Sequence, residues 1–261
     1  MGPDFFMDND MLKDLWLIGI GTGSLGHLTA EGAQALKDAA IILVPQKGDG
    51  KTDLAEIRHR IIAASDTTAK VIGFEYPVRD LEQPYLDGVD AWHDDIARRW
   101  QAALASTQVS GPVAMLVWGD PALYDSTIRI AARLAPQPSV RVVPGISAIQ
   151  ALTAAHTLPL NTINGVVAIT TGRRLRNAGW PEGAETVVVM LDGECSFTRL
   201  PPEGLMIWWG AFLGMEEQIL DHGLVQDVAD RIISTRQLAR NEHGWIMDIY
   251  ILRRDYVQNA A

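Results

Sequence analysis

Apolar residues fall into two patterns along this chain. Short unbroken runs occupy residues 15–20, 40–45, 71–77, 112–119 and 140–145, each ending in or against glycine or proline. Runs of this length, rich in Val, Ile and Leu, predict strands buried on both faces. Between them the period lengthens. Residues 29–40 predict a helix with Thr29 as N-cap and Glu31 in its first turn. Leu86, Val89, Trp92, Ile96, Trp100 and Leu104 recur every three or four positions and form one apolar stripe. Asp94 and Asp95 stand four residues before Arg98 and Arg99 on the opposite face, the orientation that favours surface pairing. A further helix runs on to Leu134. Strands joined by helices in this order predict a parallel sheet covered on both sides.

After Pro144 the pattern changes. Strands are predicted at 165–172, 185–193, 204–210 and 245–253, with moderate helices at 146–156, 194–200, 215–222 and 227–238. The reading is two α/β domains, residues 11–144 with a mostly parallel sheet and 145–261 with a mixed one. There is no internal repeat.

Composition narrows the class. The 261 residues are 48% apolar and 21% charged, too apolar for disorder and too mixed for a membrane bundle. Thirty-two acids against 22 bases give a net charge of −10, with no run of five bases, so nucleic-acid phosphate is an unsuitable partner. The first eleven residues lack the basic and apolar regions of a signal peptide. Cys195 is the single cysteine, which excludes an internal disulfide and a multi-cysteine zinc site and fits a cytoplasmic protein. No metal centre is expected, and because no apolar run approaches the roughly 20 residues of a membrane-spanning helix, no membrane partner is expected either. Cys195 itself reads as inert core.

Candidate chemistry gathers at strand ends. Gly21, Gly23 and Gly26 satisfy the dinucleotide spacing G-x-G-x-x-G after the first strand. The second strand ends Val44-Pro45-Gln46-Lys47 without the acid that a nicotinamide ribose requires, which weakens an oxidoreductase reading. Gly119-Asp120-Pro121 and Pro144-Gly145-Ile146-Ser147 follow two further strands. In open parallel sheets ligands bind outside the carboxyl ends of the strands, so three such turns outline one crevice suited to a polar nucleoside-like ligand.

Three stretches, GIGTGSLGHLT, WGDPALYDST and VVPGISAIQALTAAHTLPL, occur in the order and spacing of the S-adenosylmethionine-dependent tetrapyrrole methylases, and the chain resembles that family over roughly residues 12 to 255. The resemblance implies two α/β domains with S-adenosylmethionine in the cleft between them, and a homodimer. PQKGDGKTDLAEIRHRI, TTGRRL, MIWWGAFLG and NEHGWIMDIYILR are most similar to members that methylate precorrin-5 at C1 and release its acetyl group as acetate. Where many relatives carry a Gly-Asp-Pro-like element in the first loop, this chain has Ser24-Leu25-Gly26, so no role of an acid there is carried over.

Matched motif by motif, the resemblance implies cofactor contacts at Gly119, Asp120, Leu123, Ser126, Thr127, Ser147, Ala148, Met190, Leu191, Ala211 and Trp245. Methyl transfer from a sulfonium needs alignment and exclusion of water rather than a nucleophilic triad. Loss of the acetyl group needs water at its carbonyl, so a general base or acid is sought among Asp120, His156, Asp192, Glu194 and His243. Precorrins carry many carboxylates, which an acidic protein must meet with a local basic rim. Arg173, Arg174 and Arg176, with Lys47 and Lys51, are candidates for it, and Gly21 and Gly23 for backbone contact with the substrate. The aromatic group Trp208, Trp209 and Phe212 is expected to be exposed, at an interface or in the cleft. The alternatives are a methylase acting at another ring carbon, a nicotinamide-dependent oxidoreductase and a non-catalytic tetrapyrrole carrier.

Overall fold

The computed structural model describes residues 12–46, 52–80, 82, 84–105, 107 and 110–254. The chain divides into two compact units, Met1–Ile146 and Ser147–Ala261.

In the first unit five strands form one parallel sheet: β1 (Asp14–Gly19), β2 (Ile41–Gln46), β3 (Lys70–Glu75), β4 (Val113–Val117) and β5 (Ser139–Val143), in the order β3-β2-β4-β1-β5. Leu15 lies level with Val113 on one side and Val140 on the other, so the carboxyl ends of β4, β1 and β5 emerge together. Because successive side chains point to opposite faces, Leu15, Leu17, Ile41, Leu43, Val113, Met115 and Val117 share one side. There they pack with Ile96, Trp100 and Leu104 of α3 (Tyr85–Ala105) and with Ile130 of α4 (Thr127–Ala131). Ile18, Ile42, Val44, Ala114 and Leu116 point the other way and are equally buried. α1 (Ala30–Asp38) packs against β1, and α2 (Thr52–Ala64) against β2. Thr29 caps α1 as expected, its Oγ1 accepting the Gly32 N–H at 3.0 Å.

Two expectations for α3 need correction. Leu86 stands outside the core at 76% exposure, because the helix extends beyond the sheet at that end. The Asp94 carboxylate pairs with Arg133 of the neighbouring segment at 2.6 Å rather than with Arg98, while Asp95 takes both Arg98 and Arg99.

The second unit contains α5 (Ala148–Ala155), β6 (Val167–Thr171), α6 (Gly172–Ala178), β7 (Thr186–Met190), β8 (Leu205–Ala211), β9 (Ile219–Leu224), α7 (Val225–His243) and β10 (Asp248–Arg254). Its sheet runs β6-β7-β10-β8-β9, with β6 and β7 parallel and the other neighbours antiparallel. The mixed sheet is therefore as expected, but two of its elements are not. Residues 215–222 do not form a helix: after a tight turn in which the Gly214 N–H donates to Gln218 Oε1, the chain pairs with β8 as the edge strand β9. Pairing a free edge outweighs the helix propensity of Met215-Glu216-Glu217-Gln218. α6, which carries the candidate arginines, is a capped helix: Thr171 Oγ1 accepts the Arg174 N–H, and Gly179 ends the helix at φ +73°. Residues 194–200 reduce to a 3-10 turn, Ser196–Arg199.

The aromatic group is core, not surface. Trp209 and Phe212 are at most 2% exposed and Trp208 is 5% exposed, because β8 is flanked by strands on both sides and covered by α5 and α7. Among the described residues no helix is long and apolar enough to cross a membrane.

Candidate active site

The first row of candidate groups lies at the carboxyl edge of the parallel sheet. Beyond β1 the chain continues to bond with the end of β4: the Gly119 N–H donates to Gly21 O at 2.8 Å, and the Gly21 N–H returns to Gly119 O at 3.3 Å. Gly21 sits at φ +74°, and a Cβ there would run into His27. A Cβ on Gly19 would lie 2.6 Å from Gly145 N, so the backbones of the first and third loops touch. Asp120 joins the second loop to the third: Oδ1 accepts the Ala122 N–H at 2.8 Å and Oδ2 the Gly145 N–H at 2.9 Å. Three turns are thus welded into one backbone-rich shelf at a parallel sheet's carboxyl edge, the edge at which open α/β sheets take ligands.

The glycine spacing does not make a dinucleotide site. Gly26 lies in a 3-10 turn, Leu25–His27, fixed by Ser24 Oγ on the Gly26 N–H, and α1 starts only at Ala30. The helix N-terminus that would face a pyrophosphate is therefore displaced from the glycines. Further along the second loop, Leu123 N bonds back to Asp120 O at 3.1 Å, and Asp125 Oδ1 accepts both the N–H and hydroxyl of Thr127 at the start of α4. Ser126 is the N-cap residue of α4 but makes no side-chain cap bond. Tyr124, between them, has φ +49°.

A second group at this edge was not singled out from the sequence. Arg58 reaches from α2 to the end of β4, where Nε donates to Leu116 O at 3.3 Å and the guanidinium lies 5.3 Å from the Trp118 ring centroid. Burial lowers its pKa to about 10, against the influence of Tyr76 and Asp125 nearby. Burial and the Asp125 charge push Tyr76 up to about 12. The signal for Arg58 in the sequence is a basic residue interrupting the inward-facing positions Ile57, Ile61 and Ile62 of α2.

In the second unit the ends of β6, β7 and β8 and the start of β10 share one sheet edge. Met190 closes β7. Leu191 follows at φ +53° with 67% of its surface exposed, an apolar side chain presented at a strand end. Ala211 is buried at the end of β8, ahead of Phe212 at φ +50°. Trp245 packs edge-on against Phe212 at 5.0 Å, with His243 on the same ring at 4.9 Å. Ser147 makes a capping box at α5, its hydroxyl accepting the Ile149 N–H and donating to Gln150, and Ala148 is the first residue of that helix.

Beneath this edge lies a buried polar network. Asp192 Oδ2 accepts the Tyr250 hydroxyl at 2.6 Å and the Ser196 N–H at 2.5 Å, and Oδ1 accepts the Ser196 hydroxyl and the Glu194 N–H. Burial would raise its pKa, but these donors together hold it below the ordinary carboxylate value. Arg236 links the same loop to β10, donating to Asp192 O and pairing with Asp248 at 2.9 Å; Asp248 also accepts the Trp209 indole N–H. Removing one partner of such a pair typically costs about 3–5 kcal/mol.

The proposed base and basic-rim residues differ in their commitments. His156 holds Trp209 O through Nε2 at 3.0 Å, and Glu194 pairs with Arg176 at 3.2 Å. Arg176 also donates to Ser196, so it braces the Asp192 loop. Arg173 and Arg174 are exposed on the first turn of α6. Burial raises the Cys195 thiol pKa, which disfavours the thiolate and matches its inert reading. Lys47 and Lys51 lie outside the described residues.

Comparison with known proteins places the chain. The family model for tetrapyrrole (corrin/porphyrin) methylases matches residues 14–229. The chain is 45% identical over 251 residues to a precorrin-6A synthase [deacetylating] of Sinorhizobium sp, covering 93% of this chain and 96% of that protein. Among solved structures, a cobalamin synthesis related protein (CobF) from Corynebacterium diphtheriae aligns with a TM-score of 0.78 at 36% identity, over 93% of this chain and 99% of its own. Uroporphyrin-III C-methyl transferase from Thermus thermophilus, complexed with S-adenosylhomocysteine, shares the fold at a TM-score of 0.57 and 17% identity, over 92% of this chain and 97% of its own. The shelf of glycine turns, the mixed second sheet and the match across both units have one common explanation: the chain belongs to the tetrapyrrole (corrin/porphyrin) methylases.

Proposed function

We propose that the chain is an S-adenosylmethionine-dependent C-methyltransferase of cobalamin biosynthesis, acting in the cytoplasm as a homodimer, that methylates precorrin-5 at C1 and releases the acetyl group as acetate to give precorrin-6A. The observation that carries this reading is the 45% identity to a precorrin-6A synthase [deacetylating] over almost the whole of both chains. Each unit supports the methyl donor by itself: the glycine shelf of the first offers backbone to a nucleoside, and the exposed Leu191 of the second offers an apolar side chain to a base.

When bound, S-adenosylmethionine supplies an electrophilic methyl on a sulfonium. Gly119, Asp120, Leu123, Ser126 and Thr127 of the first unit, and Ser147, Ala148, Met190, Leu191, Ala211 and Trp245 of the second, are the positions proposed to hold it. Asp120 acts by locking two loops in register, so that the cradle is formed before the ligand arrives. Asp192 acts similarly on the loop that carries Leu191: it is anionic, buried and bonded at both oxygens, a poor proton acceptor and a good anchor. The proposal for the general base is His243, a half-buried imidazole on Phe212. It would take a proton from the water that attacks the acetyl carbonyl; the bond from the macrocycle to the acetyl carbon then breaks, acetate leaves and the electron pair stays with the macrocycle carbon. Arg173 and Arg174 are proposed to meet substrate carboxylates.

The test is an anaerobic incubation with S-adenosylmethionine and freshly generated precorrin-5, read by mass spectrometry. Equal S-adenosylhomocysteine and acetate are expected. S-adenosylhomocysteine without acetate would move the reaction to another ring carbon, and neither product from folded protein would overturn the reading.

A further inference from the structure

The turn that follows β7 is held in an unfavourable shape by a side chain from another element. Leu191 and Cys195, at its two ends, both adopt left-handed backbone, with φ +53° in each. That conformation is disfavoured for a residue with a side chain, and two so close together persist only where the surroundings fix them. Asp192 supplies part of the fixing through its bonds to Ser196, Glu194 and Tyr250. The rest comes from α7. Arg236 lies on the buried face of that helix, in line with Val228 and Ile232, and its guanidinium reaches the turn. Nη2 donates to Asp192 O at 2.9 Å, Nη1 approaches Gly193 O at 3.5 Å, and Nε donates to Asp248 Oδ2 at 2.9 Å.

Packing does not call for an arginine here. Arg236 is 8% exposed, and apolar side chains of similar volume are often as stable as a buried ion pair. What they lack is the fork. Five N–H donors in one plane let a single residue hold a carboxylate and backbone carbonyls together. Asp248 is itself fixed: Oδ2 also accepts the Trp209 indole N–H at 3.0 Å, and its backbone lies level with Ala211 of β8. The pair thus ties the turn that carries Leu191 to the strand end that carries Ala211.

We propose that Arg236 is a positioning residue for the methyl donor: anchored on Asp248, it latches residues 191–195 in the form that presents Leu191 to the base of the donor. This rests on the reading of the chain as an S-adenosylmethionine-dependent methylase. Without the latch the turn relaxes to ordinary backbone, the form that offers Leu191 becomes a minor one, and donor affinity falls by its fraction.

The single cysteine reports the state of the turn. Cys195 packs against the core when the turn is latched, so its reaction with dipyridyl disulfide waits for local opening. Arg236→Lys keeps the charge beside Asp248 but not the fork. Arg236→Met combined with Asp248→Asn removes both charges and leaves an acceptor for Trp209. In each, Cys195 is expected to label about tenfold faster and S-adenosylhomocysteine to bind about tenfold more weakly by calorimetry, with kcat at saturating donor and KM for precorrin-5 little changed. The acceleration should not depend on urea below the unfolding transition; a steep rise with urea would report global unfolding and overturn the latch. Faster labelling with unchanged affinity would leave Arg236 a structural brace and overturn its role toward the donor. Unchanged labelling and affinity in both variants would overturn the proposal outright. Should neither variant fold, wild-type protein decides: excess S-adenosylhomocysteine is expected to slow Cys195 labelling, and an unchanged rate at saturation overturns the proposal. Wild-type protein that binds no S-adenosylhomocysteine, with labelling still faster in the variants, would overturn the methylase reading and keep the latch.

Discussion

Asp120 and Gly145, 25 residues apart, are joined by a 2.9 Å hydrogen bond from the Gly145 N–H to Oδ2, and through it the second and third loops of the shelf move as one. Asp120→Ala removes this bond and the one to Ala122 together. Stability is expected to fall by about 1–3 kcal/mol, the range for bonds to charged groups. S-adenosylhomocysteine affinity, measured by calorimetry, should fall about tenfold, or about 1.4 kcal/mol. Asp120→Asn, which keeps one oxygen acceptor, should lose less.

Gly172 opens α6 against Asp192, and a Cβ at this position would collide with the carboxylate. Gly172→Ala should therefore push Asp192 off Ser196 and Tyr250. An overpacking cost of about 1–3 kcal/mol is expected, visible as a lower Tm. Met190 and Leu191 lie on the strand and loop that Asp192 anchors, so methyl-donor affinity should drop with it.

His243→Ala tests the assignment of the base. The expected result is S-adenosylhomocysteine formed at nearly the normal rate while acetate release slows about a hundredfold, within the range typical of a lost acid–base group. Mass spectrometry should then show the methylated, still acetylated macrocycle accumulating. Equal slowing of both products would remove His243 from the second step.

Arg173 and Arg174 project from the solvent side of α6, so replacing both with alanine should leave the fold unchanged. KM for the tetrapyrrole is expected to rise about tenfold, with S-adenosylhomocysteine binding intact. Identical kinetics in the double variant would release both from the substrate rim.

His93 predicts a pH dependence of stability. Burial, then the Arg133 charge, lowers its pKa below the ordinary histidine value, and its Nε2 is enclosed without a partner. The imidazole is neutral in the fold but takes a proton in the unfolded chain below about pH 6.5, so the unfolded state binds more protons there. Stability is thus undiminished above that pH and falls as the pH drops through it. His156 is shifted the same way, mainly by burial, and adds to the slope. Urea midpoints at about pH 7.5 and 5.5 should differ less in His93→Leu than in the wild type.

The first sheet is legible in the sequence because β2 and β4 are buried on both faces, which leaves continuous apolar runs such as Ile41–Val44 that few other structures explain. β9 is not legible in the same way. It is an edge strand of mixed burial, and its pairing with β8 depends on a turn whose geometry has no periodic signature. Leu86 is misread for a related reason: a helical stripe shows which face is apolar but not where the sheet beneath it stops. Trp208 and Trp209 look like surface aromatics until the two flanking strands are known. At the candidate site, the glycine turns are local features and can be read directly. Arg58 cannot, since it arrives from a helix to meet a carbonyl 58 residues away.

The place of β10 has a consequence for how the protein is made. The last strand in the chain's order fills the middle of the second sheet, between β7 and β8. Until it emerges from the ribosome, those two strands have unpaired edges and no common partner. In the first unit β4 likewise fills the gap between β2 and β1, but it is made early, and only β5 remains to add at the rim beside β1. Synthesis therefore yields a finished first unit trailing an unfinished second one whose open strand edges are able to pair with a neighbouring nascent chain. A stall or a premature stop a few residues before β10 would remove the keystone of that sheet and not merely its tail.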